Sequence, residues 1–212
     1  GPVRMVQPGD TWDYAVTGHT TADGGGVTPF TPTNGYFTLS EDEVDLGFEA
    51  ADTVRALTMH WDVGYPDGAR VEHWVMALAQ LASGELRFYG ISVGDGEPDY
   101  AVVDNANHYF PLAEVTTPGA VTEWDGQVAI DGLDWANTAA ATYQREGIET
   151  IEVNGVAYEC YRGAMTMELG FDVSFTAWIN PAVGFVRVIF ELPVLNAVET
   201  QQLDLQSTSF DV

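Results

Sequence analysis

Glu149-Thr150-Ile151-Glu152-Val153-Asn154-Gly155-Val156-Ala157-Tyr158-Glu159-Cys160 is the stretch that decides the fold. Two runs that alternate apolar with polar or small residues meet at Asn154-Gly155. A two-residue hairpin loop demands positive φ at both central positions, which Asn-Gly accepts more readily than most pairs. The segment therefore reads as a β-hairpin.

The same period of two continues outward in both directions. C-terminal to the hairpin, strands are expected over Phe171 to Ile179, Phe185 to Leu192 and Thr200 to Phe210. Toward the N-terminus they are expected over Thr11 to Thr17, Gly35 to Leu39, Val44 to Glu49, Thr53 to Val63, Arg70 to Leu81, Glu85 to Val93, Asn107 to Val115 and Ala120 to Ile130. Pro66-Asp67-Gly68 supplies a second turn, between Thr53 to Val63 and Arg70 to Leu81. One short helix is expected, from Asp134 as N-cap through Ala139-Ala140-Ala141 to Glu146, with Gly147 as its stop. The fold class is thus all-β: an antiparallel, strongly curved sheet, open barrel or sandwich with at most one short helix.

Composition narrows the partners. The 212 residues contain 32 Asp and Glu against 7 Arg and no Lys, a net charge of -25. Nucleic acid is excluded as a partner, because phosphate backbones are gripped by clustered cations and these arginines stand singly from Arg4 to Arg187. No apolar run approaches the ~18 residues of a membrane-spanning helix. With 46% hydrophobic residues and 10 Phe, 9 Tyr and 6 Trp, the chain is too rich in core formers to be disordered. Cys160 is the single cysteine, so no internal disulfide forms, and its place within a strand marks it as a packed residue. Gly1-Pro2 reads as the remnant of a specific proteolytic cleavage, leaving residues 3–212 as one β domain. An internal pseudo-repeat is expected around 53–93 and 149–193: Val71-Glu72-His73-Trp74-Val75 through Gly84-Glu85-Leu86-Arg87-Phe88 matches Phe171-Asp172-Val173-Ser174-Phe175 through Gly184-Phe185-Val186-Arg187-Val188 in pattern.

Trp178-Ile179-Asn180-Pro181-Ala182-Val183-Gly184-Phe185-Val186-Arg187 resembles the W-[YF]-A-P-G-V-G-x-V-[KR] signature of exported bacterial lipoproteins. Gly9-Asp10-Thr11-Trp12-Asp13-Tyr14 is similar to the G-x-x-W-x-Y opening of their mature domains, and Val153-Asn154-Gly155-Val156-Ala157-Tyr158-Glu159-Cys160 to their v-x-G-x-x-Y-x-c strand pair. Ile179, Asn180 and Ala182 depart from the signature. The resemblance implies an extracellular or cell-envelope β protein and brings no catalytic residues.

Two constellations are candidate sites. Alternation along Phe171 to Ile179 sets Phe171, Val173, Phe175, Ala177 and Ile179 on one face and Trp178 on the other. Across the hairpin, Phe185, Arg187 and Ile189 join Trp178 on the outer face, an aromatic patch suited to stacking a carbohydrate or contacting a protein; coverage by another strand is the structural alternative. The second is His60, Asp62 and His73. Aligning Trp61 with Trp74 across the Pro66 turn sets Asp62 opposite His73 with His60 beside them, a spacing that suits a divalent cation or an acid/base pair, or else hydrogen-bonded structural histidines. Strands apolar on both faces need covering on both sides, and an apolar small molecule in a concavity is one such cover. The expected function is a non-enzymatic envelope or extracellular binding protein. A self-associating structural surface protein is the first alternative. A secreted hydrolase using the histidines, or Glu123 and Asp125, is the second.

Overall fold

In the computed structural model, the described residues are 4–42, 54–65, 68–80, 86–93, 101–104, 109–110, 121–130, 135–168 and 172–210. The side chains described are those of 4–41, 142, 144–166 and 172–210. Among the described residues fourteen strands succeed one another: β1 (Thr11–Ala22), β2 (Val27–Pro29), β3 (Thr33–Asp42), β4 (Val54–Tyr65), β5 (Gly68–Gln80), β6 (Leu86–Val93), β7 (Ala101–Asp104), β8 (Tyr109–Phe110), β9 (Val121–Ile130), β10 (Trp135–Val153), β11 (Val156–Glu168), β12 (Asp172–Asn180), β13 (Gly184–Val194) and β14 (Ala197–Thr208). All belong to one antiparallel sheet of order β14-β13-β12-β11-β10-β9-β7-β6-β5-β4-β3-β1-β2, with β8 on β6. β14 also pairs with β1 over most of its length. The path of pairings therefore returns to its start, and the sheet is barrel-like.

The Asn154-Gly155 hairpin forms as the sequence requires: Val153 pairs with Val156, and Asn154 and Gly155 take φ of 49° and 75°. Tyr65 pairs with Gly68, and Pro66 and Asp67 between them lie outside the described residues. Val44 to Glu49 lies outside the described residues. The expected helix over Asp134 to Glu146 is corrected, because Trp135 to Glu146 form the first part of β10. That strand is hydrogen-bonded on both sides, to β9 from Trp135 to Gln144 and to β11 from Ala140 to Val153. The ladder to β9 along Trp135 to Gln144, joined by that to β11 from Ala140 onward, outweighs the weak helix preference of three alanines. Gly147 marks a register shift against β11, a bulge in a strand where a helix stop was expected.

Alternation on β1 and β14 sorts the two faces of the sheet. Trp12, Tyr14 and Val16 are buried on β1, and their register partners on β14 set Leu203 and Leu205 on the same side. Phe37, Leu39 and Phe190 join the same core. This inner face is aromatic, with Tyr14 and Phe37 edge-to-face at 4.8 Å. Burial pushes the Tyr14 hydroxyl far above its ordinary value, and it donates to the carbonyl of Phe185 at 2.8 Å.

One end of the sheet is plugged. Trp12 donates to the carbonyl of Val183 at 2.8 Å and meets Phe210 edge-on. Arg4 lies over Phe210, 3.7 Å from the ring centre, and forks onto Asp10 at 2.6 and 3.0 Å. The Arg4 amide also donates to Pro181. The N-terminal segment and Phe210 thus cover the end where β1 begins.

Candidate functional site

The opposite end, where β1 stops and β14 starts, is built differently. Val194, Leu195, Asn196 and Ala197 turn from β13 into β14, with Val194 paired to Ala197 and Asn196 at φ 58°. Leu195 at the tip is 96% exposed, and Val194 and Val198 are exposed beside it. Thr21 bridges Val198 to Val27, which is 61% exposed. Four exposed apolar side chains therefore gather at this end, next to Gly24-Gly25-Gly26, with Val198 and Val27 on the outward phase of the sheet.

Just inside the rim the inner face turns polar. Glu199 and Gln201 share the parity of Leu203 and Leu205 on β14, and both are buried. Gln201 pairs with Gly18 on one side and with Phe190 on the other. Its Nε2 donates to Glu199 Oε1 at 2.5 Å, which fixes the direction of the amide and turns Oε1 away. That oxygen has no donor among the described residues. Phe30 packs above: its amide donates to the carbonyl of Gly18, and a Cβ on Gly18 would stand 2.6 Å from its ring and 2.3 Å from the Thr200 carbonyl oxygen. Gly18 is glycine because Phe30 occupies its side-chain space. None of these residues was singled out from sequence. The legible signal was parity: Glu199 and Gln201 fall on the Leu203 and Leu205 phase of β14.

The expected Trp178 patch takes another form. Trp178 is only 8% exposed and belongs to the main buried cluster with Val153, Cys160 and Val186, so its outward, open placement is corrected to the covered alternative. Trp178 and Arg187 do stand opposite each other. The next pair is Ile179 with Phe185, so Val186 is an extra residue on β13 and the bulge reverses the phase. Phe185 consequently packs with Ala177 and Ile179, and its expected place beside Trp178 is corrected. Ile189 keeps the phase of Arg187, opposite Thr176, and packs half-buried against the main cluster.

The cover over Trp178 comes from the β10–β11 hairpin. Glu149 accepts a hydrogen bond from the Trp178 indole, and the Asn154 amide at the hairpin tip reaches the carbonyl of Gln206 on β14. The guanidinium groups of Arg162 and Arg187 lie 5.5 and 5.9 Å from the indole. Arg187 is paired with Asp204 at 2.5 Å and Arg162 with Glu146 at 2.9 Å. Arg4 and Arg145 also sit over rings, those of Phe210 and Tyr161. The four arginines whose side chains are described thus act as cation–π partners that knit strands together. Cys160, buried beneath, has its thiol pushed up to about 12, first by burial and then by the Glu149 charge. At that value it stays a thiol and is no nucleophile at neutral pH.

For the histidine site, the register sets His60 opposite His73 and Asp62 opposite Val71. The expected pairing of Asp62 with His73 is corrected by two residues, a shift that leaves the parity of all three unchanged. Their side chains lie outside those described. Among the described residues, no group of three or more His, Cys, Asp and Glu is placed to hold a metal ion, and no helix is long and apolar enough to cross a membrane.

Comparison with known proteins agrees with the architecture. No protein-family model matches the chain, and no curated protein does. Among solved structures, it is similar to a β-barrel-like protein of the domain of unknown function DUF1849 from Brucella abortus. That likeness covers 97% of this chain and 98% of the other, at 10% identity and a TM-score of 0.53. This is a likeness of fold alone. A candidate lipoprotein from Parabacteroides distasonis (10% identity, 94% and 96% covered, TM-score 0.38) and a candidate exported protein of YmcC-like fold from Bacteroides fragilis (11% identity, 97% and 99% covered, TM-score 0.35) are more distant.

Proposed function

We propose that this chain is a non-enzymatic binding protein of the cell envelope or extracellular space that holds an apolar ligand on the inner face of its barrel-like sheet. The observation that carries the reading is the combination of strand number with lining. The path of pairings passes through twelve strands before it returns to β1. An eight-stranded barrel is about filled by its own side chains, and wider ones have room for ligands. The described lining is Trp12, Tyr14, Val16, Phe37, Leu39, Leu203 and Leu205, one end is plugged by Arg4 and Phe210, and the other carries an apolar rim.

The envelope location rests on the motif resemblance around Trp178 and Gly9 to Tyr14. Carbohydrate stacking on Trp178 is disfavoured by the covering hairpin, and a partner protein finds its apolar contacts at the Leu195 rim instead. Self-association through strand edges is disfavoured because β2, which pairs only with β1 among the described strands, is three residues long and ends in Pro29; short edges and proline blunt edge pairing. Titration with Nile red, a neutral apolar dye, tests the reading. Saturable binding near one equivalent, displaced by a medium-chain alcohol, is expected; fluorescence that rises without saturation would overturn it. The divalent-cation proposal at His60, Asp62 and His73 has a separate test: bound metal near one equivalent by elemental analysis, lost in His73→Ala, supports it, and metal-free protein that Zn²⁺ does not stabilise removes it.

A further inference from the structure

We propose that Gln201, with Glu199 behind it, is the head-group end of the interior site, and that the ligand is an amphiphile with an apolar body and a hydrogen-bond-donating head, a primary amine or a hydroxyl. This rests on the interior-binding reading and adds the chemistry of one end.

Gln201 is fully buried, and a buried amide is costly unless its hydrogen bonds are made. Half of it is satisfied, Nε2 donating to Glu199. The other half, Oε1, is an acceptor with no donor among the described residues. Since Nε2 is committed to the Glu199 carboxyl, the half of the amide left unmade is an acceptor. The complement of an acceptor is an O–H or N–H donor. A carboxylate or phosphate head would set oxygen against oxygen. The surroundings fit an amphiphile: Phe190 flanks Gln201 on β13, Leu203 follows in the same phase on β14, and Phe30 lies over neighbouring Gly18. The exposed Leu195 tip, with Val194 and Val198, stands at the same end of the sheet.

Two probes of one shape separate the inference from the reading beneath it. 1-Aminoanthracene carries the donor, and 1-methylanthracene replaces it with an apolar group of similar size. Wild-type protein is expected to bind the amine about tenfold more tightly, the worth of one buried hydrogen bond otherwise left unmade. Gln201→Leu is expected to keep 1-methylanthracene and lose that preference. Because the variant places an apolar residue beside Glu199 and its folding can suffer, a second measurement uses wild type alone: the ¹⁵N resonance of the Gln201 side-chain amide should move with 1-aminoanthracene and stay with 1-methylanthracene. Equal affinities in wild type, or a preference that survives Gln201→Leu, would overturn the head-group assignment while leaving interior binding intact. Binding of neither probe would overturn both.

Discussion

Trp178 shows how far one residue can be argued from its neighbours. Its indole is covered, hydrogen-bonded to Glu149 and flanked by Arg162 and Arg187. Trp178→Ala should therefore cost about 3–5 kcal/mol, the range for emptying a buried aromatic site. Urea unfolding checks this: the midpoint should fall with m unchanged. A change within about 0.5 kcal/mol would return the ring to the surface. Cys160 and Tyr14 act through pH. Both are acids whose folded pKa is raised, chiefly by burial. Each neutral form is favoured by the fold, so their contribution to stability is whole below the unfolded pKa and is lost as pH climbs toward the folded one. For Cys160 that window runs from near 9 to about 12. The melting temperature should fall across it, and Cys160→Ala, whatever its packing cost at pH 7, should show a shallower fall. An identical slope in wild type and variant would remove the thiol from the account.

Among elements, the hairpins were the most legible. Asn154-Gly155 is determined by local chemistry, so five or six residues on either side suffice to read it. Gly155 holds φ 75° at the turn, and Gly155→Ala should cost about 1 kcal/mol, the penalty of forcing a Cβ into the left-handed region, measurable by the same urea titration. β10 was misread because its character comes from partners far along the chain: Trp135 to Ala139 look helical alone and are a strand only because β9 supplies a ladder. The Trp178 face was misread for a related reason. Alternation assumes an unbroken pleat, whereas the extra Val186 sends Phe185 to the other side. A bulge leaves no fixed mark in composition. Gly18 is the tightest position: Gly18→Val would drive a side chain into Phe30 and the Thr200 carbonyl and should cost about 1–3 kcal/mol, as overpacking does.

At the scale of the whole molecule, charge and interior dominate. A net charge of -25 on 212 residues opposes compaction by self-repulsion. Moderate salt screens it over a length of about 10 Å at 0.1 M. The melting temperature should rise from low to moderate NaCl at neutral pH, and a flat or falling curve would remove repulsion as a significant opponent of folding. The acidity was plain in composition. The interior was not, because no window of sequence reveals that β14 returns to pair with β1; a barrel-like path is a property of pairings far apart in the chain, from Ala22 with Ala197 to Trp12 with Thr208. The account's central claim is that a ligand lies on that inner face. Photo-crosslinking with an alkyl diazirine, followed by peptide mapping, tests it most directly. The label should fall on inward positions of β1 and β14, among them Val16, Gln201 and Leu203, and be displaced by Nile red. Labelling spread over the outward positions of those strands, such as Asp13, Thr17 and Gln202, or confined to the Leu195 tip, would contradict it.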